Sequence, residues 1–157
     1  MASPIGLKFL NDIEKGSVYQ VQMSLKRGYA DPNKNYLNVF PLNLAIEQGD
    51  VDIAAVLLMA GADPLIKSNP KNTIKITCAA ELADSMAKDP KEKFRVEAAI
   101  IAELINDPQK LKERYADAME KVKREHAKEE KMLVRIMGAG VMVAGVVFWH
   151  YYVSPLR

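Results

Sequence analysis

Apolar positions in the first hundred residues recur at helical spacing and are cut into short lengths by glycine and proline. Leu42, Leu44, Ala45 and Ile46 make one apolar face. Pro41 precedes them and suits the first turn of a helix, where its missing N–H costs nothing. Gly49 ends that helix, because glycine takes the left-handed conformation cheaply. Asp50 then supplies a cap for a second helix, in which Val51, Ala54, Ala55, Leu57 and Leu58 are apolar. Gly61 closes this one, and Ala62-Asp63-Pro64 leads into an extended connection. The pattern predicts two short helices and a turn.

The same pattern has an echo upstream. Ile13-Glu14-Lys15-Gly16-Ser17-Val18 aligns with Ile46-Glu47-Gln48-Gly49-Asp50-Val51, and at the same offset Leu25 and Gly28 fall on Leu58 and Gly61. With one residue inserted, Gly28-Tyr29-Ala30-Asp31-Pro32 corresponds to Gly61-Ala62-Asp63-Pro64. A third unit starts at Ile76-Thr77-Cys78-Ala79, with its second helix over residues 96–105 and an insertion from Met86 to Phe94 between its helices.

Pro41-Leu42-Asn43-Leu44-Ala45, Gly49-Asp50-Val51, Val56-Leu57-Leu58 and Gly61-Ala62-Asp63-Pro64 together resemble one ankyrin repeat, and residues 4–32 a degenerate one. The resemblance implies an all-α fold in which a short helix-turn-helix stack occupies residues 1–106, with repeats near 4–36, 37–70 and 71–106. It also implies protein binding through the loops and the concave face. Tyr29, Asn35, Tyr36, Asn38, Phe40, Asn43, Lys67, Asn69 and Asn72 are the expected contacts. Phe40 and Asn43 stand where the family usually carries threonine and histidine, so irregular loop hairpins are expected. Three repeats are the fewest that make a stable stack, and the apolar run from Ala98 to Ile105 calls for a covering surface.

Asp107-Pro108 opens the next helix with a cap and a first-turn proline, and no glycine or proline follows until Gly138. Leu111, Tyr115, Ala118, Met119 and Val122 form a narrow stripe, to be packed against a partner or against the repeats. Farther on, residues 125–131 are polar nearly all round, as in a stalk held by pairs such as Glu120–Arg124 and Lys121–Glu125. Residues 107–135 thus form a charged connecting helix.

Residues 136–149 carry no charged or strongly polar side chain, and His150 to Val153 extend the run. At the helical rise it spans roughly 27 Å, near the thickness of a bilayer core. Arg135 bounds it on one side and Trp149, Tyr151 and Tyr152 on the other, which predicts a transmembrane helix over 136–153 and a tail of 154–157. Gly138, Gly140, Ala144 and Gly145 offer a small-residue face for packing against another helix. Basic residues gather on the N-terminal side of this run, which places the repeats in the cytosol or the mitochondrial matrix. The first residues carry no secretory signal pattern.

Composition removes most chemistry. The 22 basic and 20 acidic residues leave a net charge of +2, without the excess expected of a nucleic-acid binder. The single cysteine, Cys78, rules out an internal disulfide and a cysteine zinc site. His126 and His150 lie more than six turns apart on one predicted helix and cannot share a metal. Haem ligation by His150 is a minor alternative. No Ser-His-Asp arrangement or phosphate loop is present, and no enzyme, cofactor, metal or small-molecule substrate is expected. The expectation is a non-catalytic, membrane-anchored interaction module whose partners are other protein subunits and the bilayer. Its leading form is an accessory subunit of a large mitochondrial membrane complex, in the inner membrane with the repeats on the matrix side. The alternative is a free tail-anchored adaptor on the outer mitochondrial membrane or the endoplasmic reticulum.

Overall fold

The computed structural model describes residues 4–67 and 78–138. Among them there are seven helices and no strand: α1 (Pro4–Glu14), α2 (Val18–Lys26), α3 (Pro41–Glu47), α4 (Val51–Met59), α5 (Ala79–Lys88), α6 (Arg95–Asn106) and α7 (Pro108–Gly138). The chain divides into a compact unit through Met119 and a second one from Glu120.

In the first unit the helices pair as hairpins: α1 with α2, α3 with α4, α5 with α6. The hairpins lie against one another in order, α1, α3 and α5 in one row and α2, α4 and α6 in the other. Local chemistry fixes where each helix stops. The Gly16 amide bonds the Ile13 carbonyl and the Ser17 amide the Asp12 carbonyl; Gly49 and Asp50 repeat this onto Ile46 and Ala45. That is the Schellman closure, and it needs a left-handed residue, here Gly16 at φ +67° and Gly49 at φ +65°. The ends of α2 and α4 close in the same way at matching positions, Tyr29 onto Ser24 and Ala62 onto Leu57. The sequence echo is therefore an echo of hydrogen bonds. Asp50 caps α4 through Oδ1, which accepts the Ile53 amide at 2.9 Å. Asp107 does the same for α7, accepting the Gln109 amide at 2.9 Å.

The core runs between the hairpins. Phe9, Ile13, Val21, Ile46, Ile53, Val56, Leu57 and Ile101 are fully enclosed. Each stabilises the fold by about 1.5–3 kcal/mol relative to exposure. Leu111, Tyr115 and Met119 of the α7 stripe pack on that core, so the hairpins of this unit cover them. Two polar contacts fix the seat: the Gln22 amide donates to the Tyr115 hydroxyl at 3.3 Å, and Arg114 pairs with Asp52 at 2.8 Å.

The third hairpin corrects the sequence reading. No break occurs at Met86; α5 continues through Lys88 and buries Met86, and only the Asp89–Phe94 stretch connects it to α6. Nothing in Ser85-Met86-Ala87-Lys88 breaks a helix, and proline first intervenes at position 90. Cys78 is buried at the N-terminal boundary of α5.

In the second unit, Arg124 pairs with Glu120 at 2.5 Å, the i,i+4 stalk contact expected there. The helix α7 reaches Gly138. Among the described residues no helix is long and apolar enough to cross a membrane. Beyond Gly138, the predicted span over 136–153 lies outside the described residues, as do Gly140, Ala144, Gly145 and His150.

Candidate functional site

The loop between α2 and α3 holds most of the expected contact residues, and it is built around one tyrosine. Tyr36 is only 5% exposed. Its ring stands edge-on to Phe9, centroids 5.9 Å apart. Its hydroxyl accepts the Asp31 amide at 2.9 Å and donates to the Asp31 carbonyl at 3.3 Å. Tyr36 is therefore a core anchor for the loop and leaves the set of expected partner contacts. An aromatic ring in a loop pattern does not announce which way it turns.

Around that anchor the chain doubles back in the tightest way available. The Tyr36 amide bonds the Val39 carbonyl at 2.9 Å, and the Val39 amide returns the bond at 3.0 Å. Leu37 and Asn38 between them have φ +54° and +66°. Both central residues in the left-handed region define a type I′ turn, a geometry that favours asparagine and glycine. Asn38 suits it. Leu37 does not, because its Cβ crowds the backbone there at a cost of roughly 1–2 kcal/mol. Its side chain gains no burial in return, since Leu37 is 57% exposed.

The other expected contacts differ in exposure. Tyr29 is 59% exposed just past the end of α2. Asn35, Asn38 and Lys67 are exposed, and Phe40 and Asn43 are half-buried at the start of α3. Asn69 and Asn72 lie outside the described residues. Gly138 is the last residue of α7.

Two residues with a part in this edge escape the sequence reading. Asn33 stitches consecutive loops: its Nδ2 donates to the Gly61 carbonyl at 2.8 Å and its Oδ1 accepts the Asp63 amide at 2.7 Å. It ties the loop after α2 to the loop after α4. The run Asp31-Pro32-Asn33 is its only signal, since asparagine in a turn commonly directs its side chain onto backbone. Leu37 has no signal.

No family model, curated protein or solved structure matches this chain. The site therefore stands on its geometry alone.

Electrostatics add one feature behind the edge. Burial holds the Asp50 carboxyl above its ordinary 3.8, against the opposing pull of the Ile53 amide. Among the described residues, no three His, Cys, Asp or Glu side chains gather as a metal site. What the edge offers is an exposed leucine and tyrosine held by a stitched backbone, together with amide side chains for hydrogen bonding. Such a surface can grip a protein.

Proposed function

We propose that this chain is a non-catalytic protein-interaction module of the ankyrin type, anchored to a membrane by its final residues, and that it serves as an accessory subunit of a membrane protein complex. The hairpin pairing, the matching closures of successive hairpins and the loop stitching by Asn33 support the ankyrin reading. The apolar run 136–149 and its flanks support the anchor, and the basic side of that run supports repeats that face the mitochondrial matrix or the cytosol.

One observation carries the binding role. Leu37 combines a left-handed backbone, which the turn imposes at a cost that glycine or asparagine would avoid, with an exposed apolar side chain that the fold does not bury. Strain kept at an exposed position belongs to function more often than to packing. The docked partner would cover Leu37 and use Tyr29 as an aromatic anchor at the same edge.

The test compares the wild-type chain with Leu37→Gly in gently solubilised membranes on native gels. Glycine accepts the turn and removes only the side chain. Comigration of the wild-type chain with a different protein, lost in Leu37→Gly, supports the reading. Migration of both at monomer size rejects it.

A further inference from the structure

A stack of hairpins has two ends, and this one leaves both with an apolar hollow and opposite charge. In the second hairpin Ile53 and Leu57 are fully buried. At the matching positions the first hairpin has Gln20 and Ser24, so its corresponding face is partly polar. That face is not sealed. Ile5, Met23 and Tyr29 line a hollow of about 300 Å³ between α1 and α2 together with Gln20 and Ser24. Lys8 and Arg27 stand on its edge. Ile5 is 53% exposed, although it would be buried if another hairpin continued the stack.

The other end has the reverse sign. Ala79, Ala83 and Met86 turn inward from α5, and Ala98, Ile101 and Leu104 from α6. Beside these inward faces, Ala80, Ala102 and Ile105 line a hollow of about 240 Å³ between the two helices, flanked by Glu81, Asp84 and Asn106.

We propose that the two ends bind each other between copies of this chain, the Arg27 end of one stack seating on the Glu81–Asp84 end of the next. Three features choose a second copy as the occupant. The charges are complementary, which steers and orients such a contact. Each hollow sets apolar side chains beside its charged ones, Ile5 and Met23 at one end and Ala80 and Ile105 at the other. The contact continues across chains the hairpin-on-hairpin packing that builds each one. Because different surfaces meet, the contact is heterologous and can repeat along a row of copies. Lys8 is already engaged by Asp12 at 2.7 Å, so Arg27 is the cation to test. Asp84 pairs with Lys88 at 2.8 Å in an exposed i,i+4 contact, which is weak enough to be exchanged. The inference does not use Leu37, although Tyr29 belongs to both the hollow and the loop edge.

The experiment uses the full chain in mild detergent, with two fluorescent labels, and reads energy transfer against protein concentration. The expected result is association that weakens as salt is raised. Arg27→Glu weakens it about tenfold, and so does the pair Glu81→Lys with Asp84→Lys. Mixing the Arg27→Glu chain with the Glu81→Lys/Asp84→Lys chain restores it, because the new carboxylate then meets the new lysines while the remaining ends keep their native signs. Leu37→Gly leaves it unchanged, which separates this contact from the loop edge. A chain that stays monomeric to about 100 µM overturns the proposal. So does association indifferent to Arg27→Glu, as packing through the segment around Gly140 would give, and so does failure of the mixture to recover.

Discussion

The Phe94 ring occupies the space that a side chain at Gly49 would need. A Cβ built on Gly49 would stand 2.6 Å from Cγ and Cδ1 of that ring. The turn of the second hairpin and the entry to α6 are thereby locked together. Gly28 makes the control, with φ +69° and nothing within 4 Å of a built Cβ.

Comparing alanine at these two glycines isolates the contact. Gly28→Ala should cost about 1–2 kcal/mol, the left-handed backbone penalty alone. Gly49→Ala should cost clearly more, by about 1–3 kcal/mol, because the ring must also be displaced. Urea denaturation of both variants measures the difference. Equal costs would mean that Phe94 moves aside freely.

Asn33 should matter more than an exposed loop residue usually does. Asn33→Ala removes both bonds to the neighbouring loop and should destabilise the chain by about 1–2 kcal/mol. Asn33→Asp keeps an acceptor for the Asp63 amide and loses the donor to Gly61, so an intermediate cost is expected. Faster amide exchange at Asp63 should accompany the alanine variant and be smaller in the aspartate variant.

Asp50 predicts a pH signature of definite sign. Burial raises its folded pKa above 3.8, so the folded state holds the proton more tightly than the unfolded chain does. Its contribution is therefore most favourable below that unfolded value and is lost as pH rises through the raised folded one. Asp50→Asn keeps an oxygen to cap α4 and removes the titration. Wild-type stability minus that of Asp50→Asn should fall as pH rises through the acid range and then level off. A difference that grows with pH would reverse the assignment. Equilibrium unfolding from about pH 3 to 7 covers the window.

Leu37→Gly should leave folding stability within about 1 kcal/mol of wild type, since relief of left-handed strain offsets the added freedom of glycine. Thermal unfolding checks this. A large loss would assign Leu37 to the fold and remove the basis for a docking role.

Much of the second hairpin is legible in the sequence because its signals are local. Pro41, Gly49, Asp50 and Gly61 each act within a turn of their own position, and the structure uses them as the spacing implies. The first hairpin follows from the same residue types at a constant offset. The third does not. Expecting a short first helix there imposes a repeat length on residues that contain no stop signal, and α5 runs on to bury Met86. The candidate edge divides similarly. Tyr29 is the exposed aromatic that the pattern implies, but Tyr36 goes inward to Phe9, a contact set by tertiary packing. Leu37 is illegible for a different reason. Its conformation opposes its own propensity and is imposed by the paired amides of Tyr36 and Val39. A local pattern cannot encode a residue held against its preference.

The most direct measurement places a photocrosslinking side chain at position 37 of the full chain in intact membranes, with the exposed position 112 on α7 as a control. The account predicts one protein adduct of constant mass from position 37, abolished by competition with unmodified chain and absent from position 112. Equal, diffuse labelling from both positions, or no protein adduct from position 37, would contradict it.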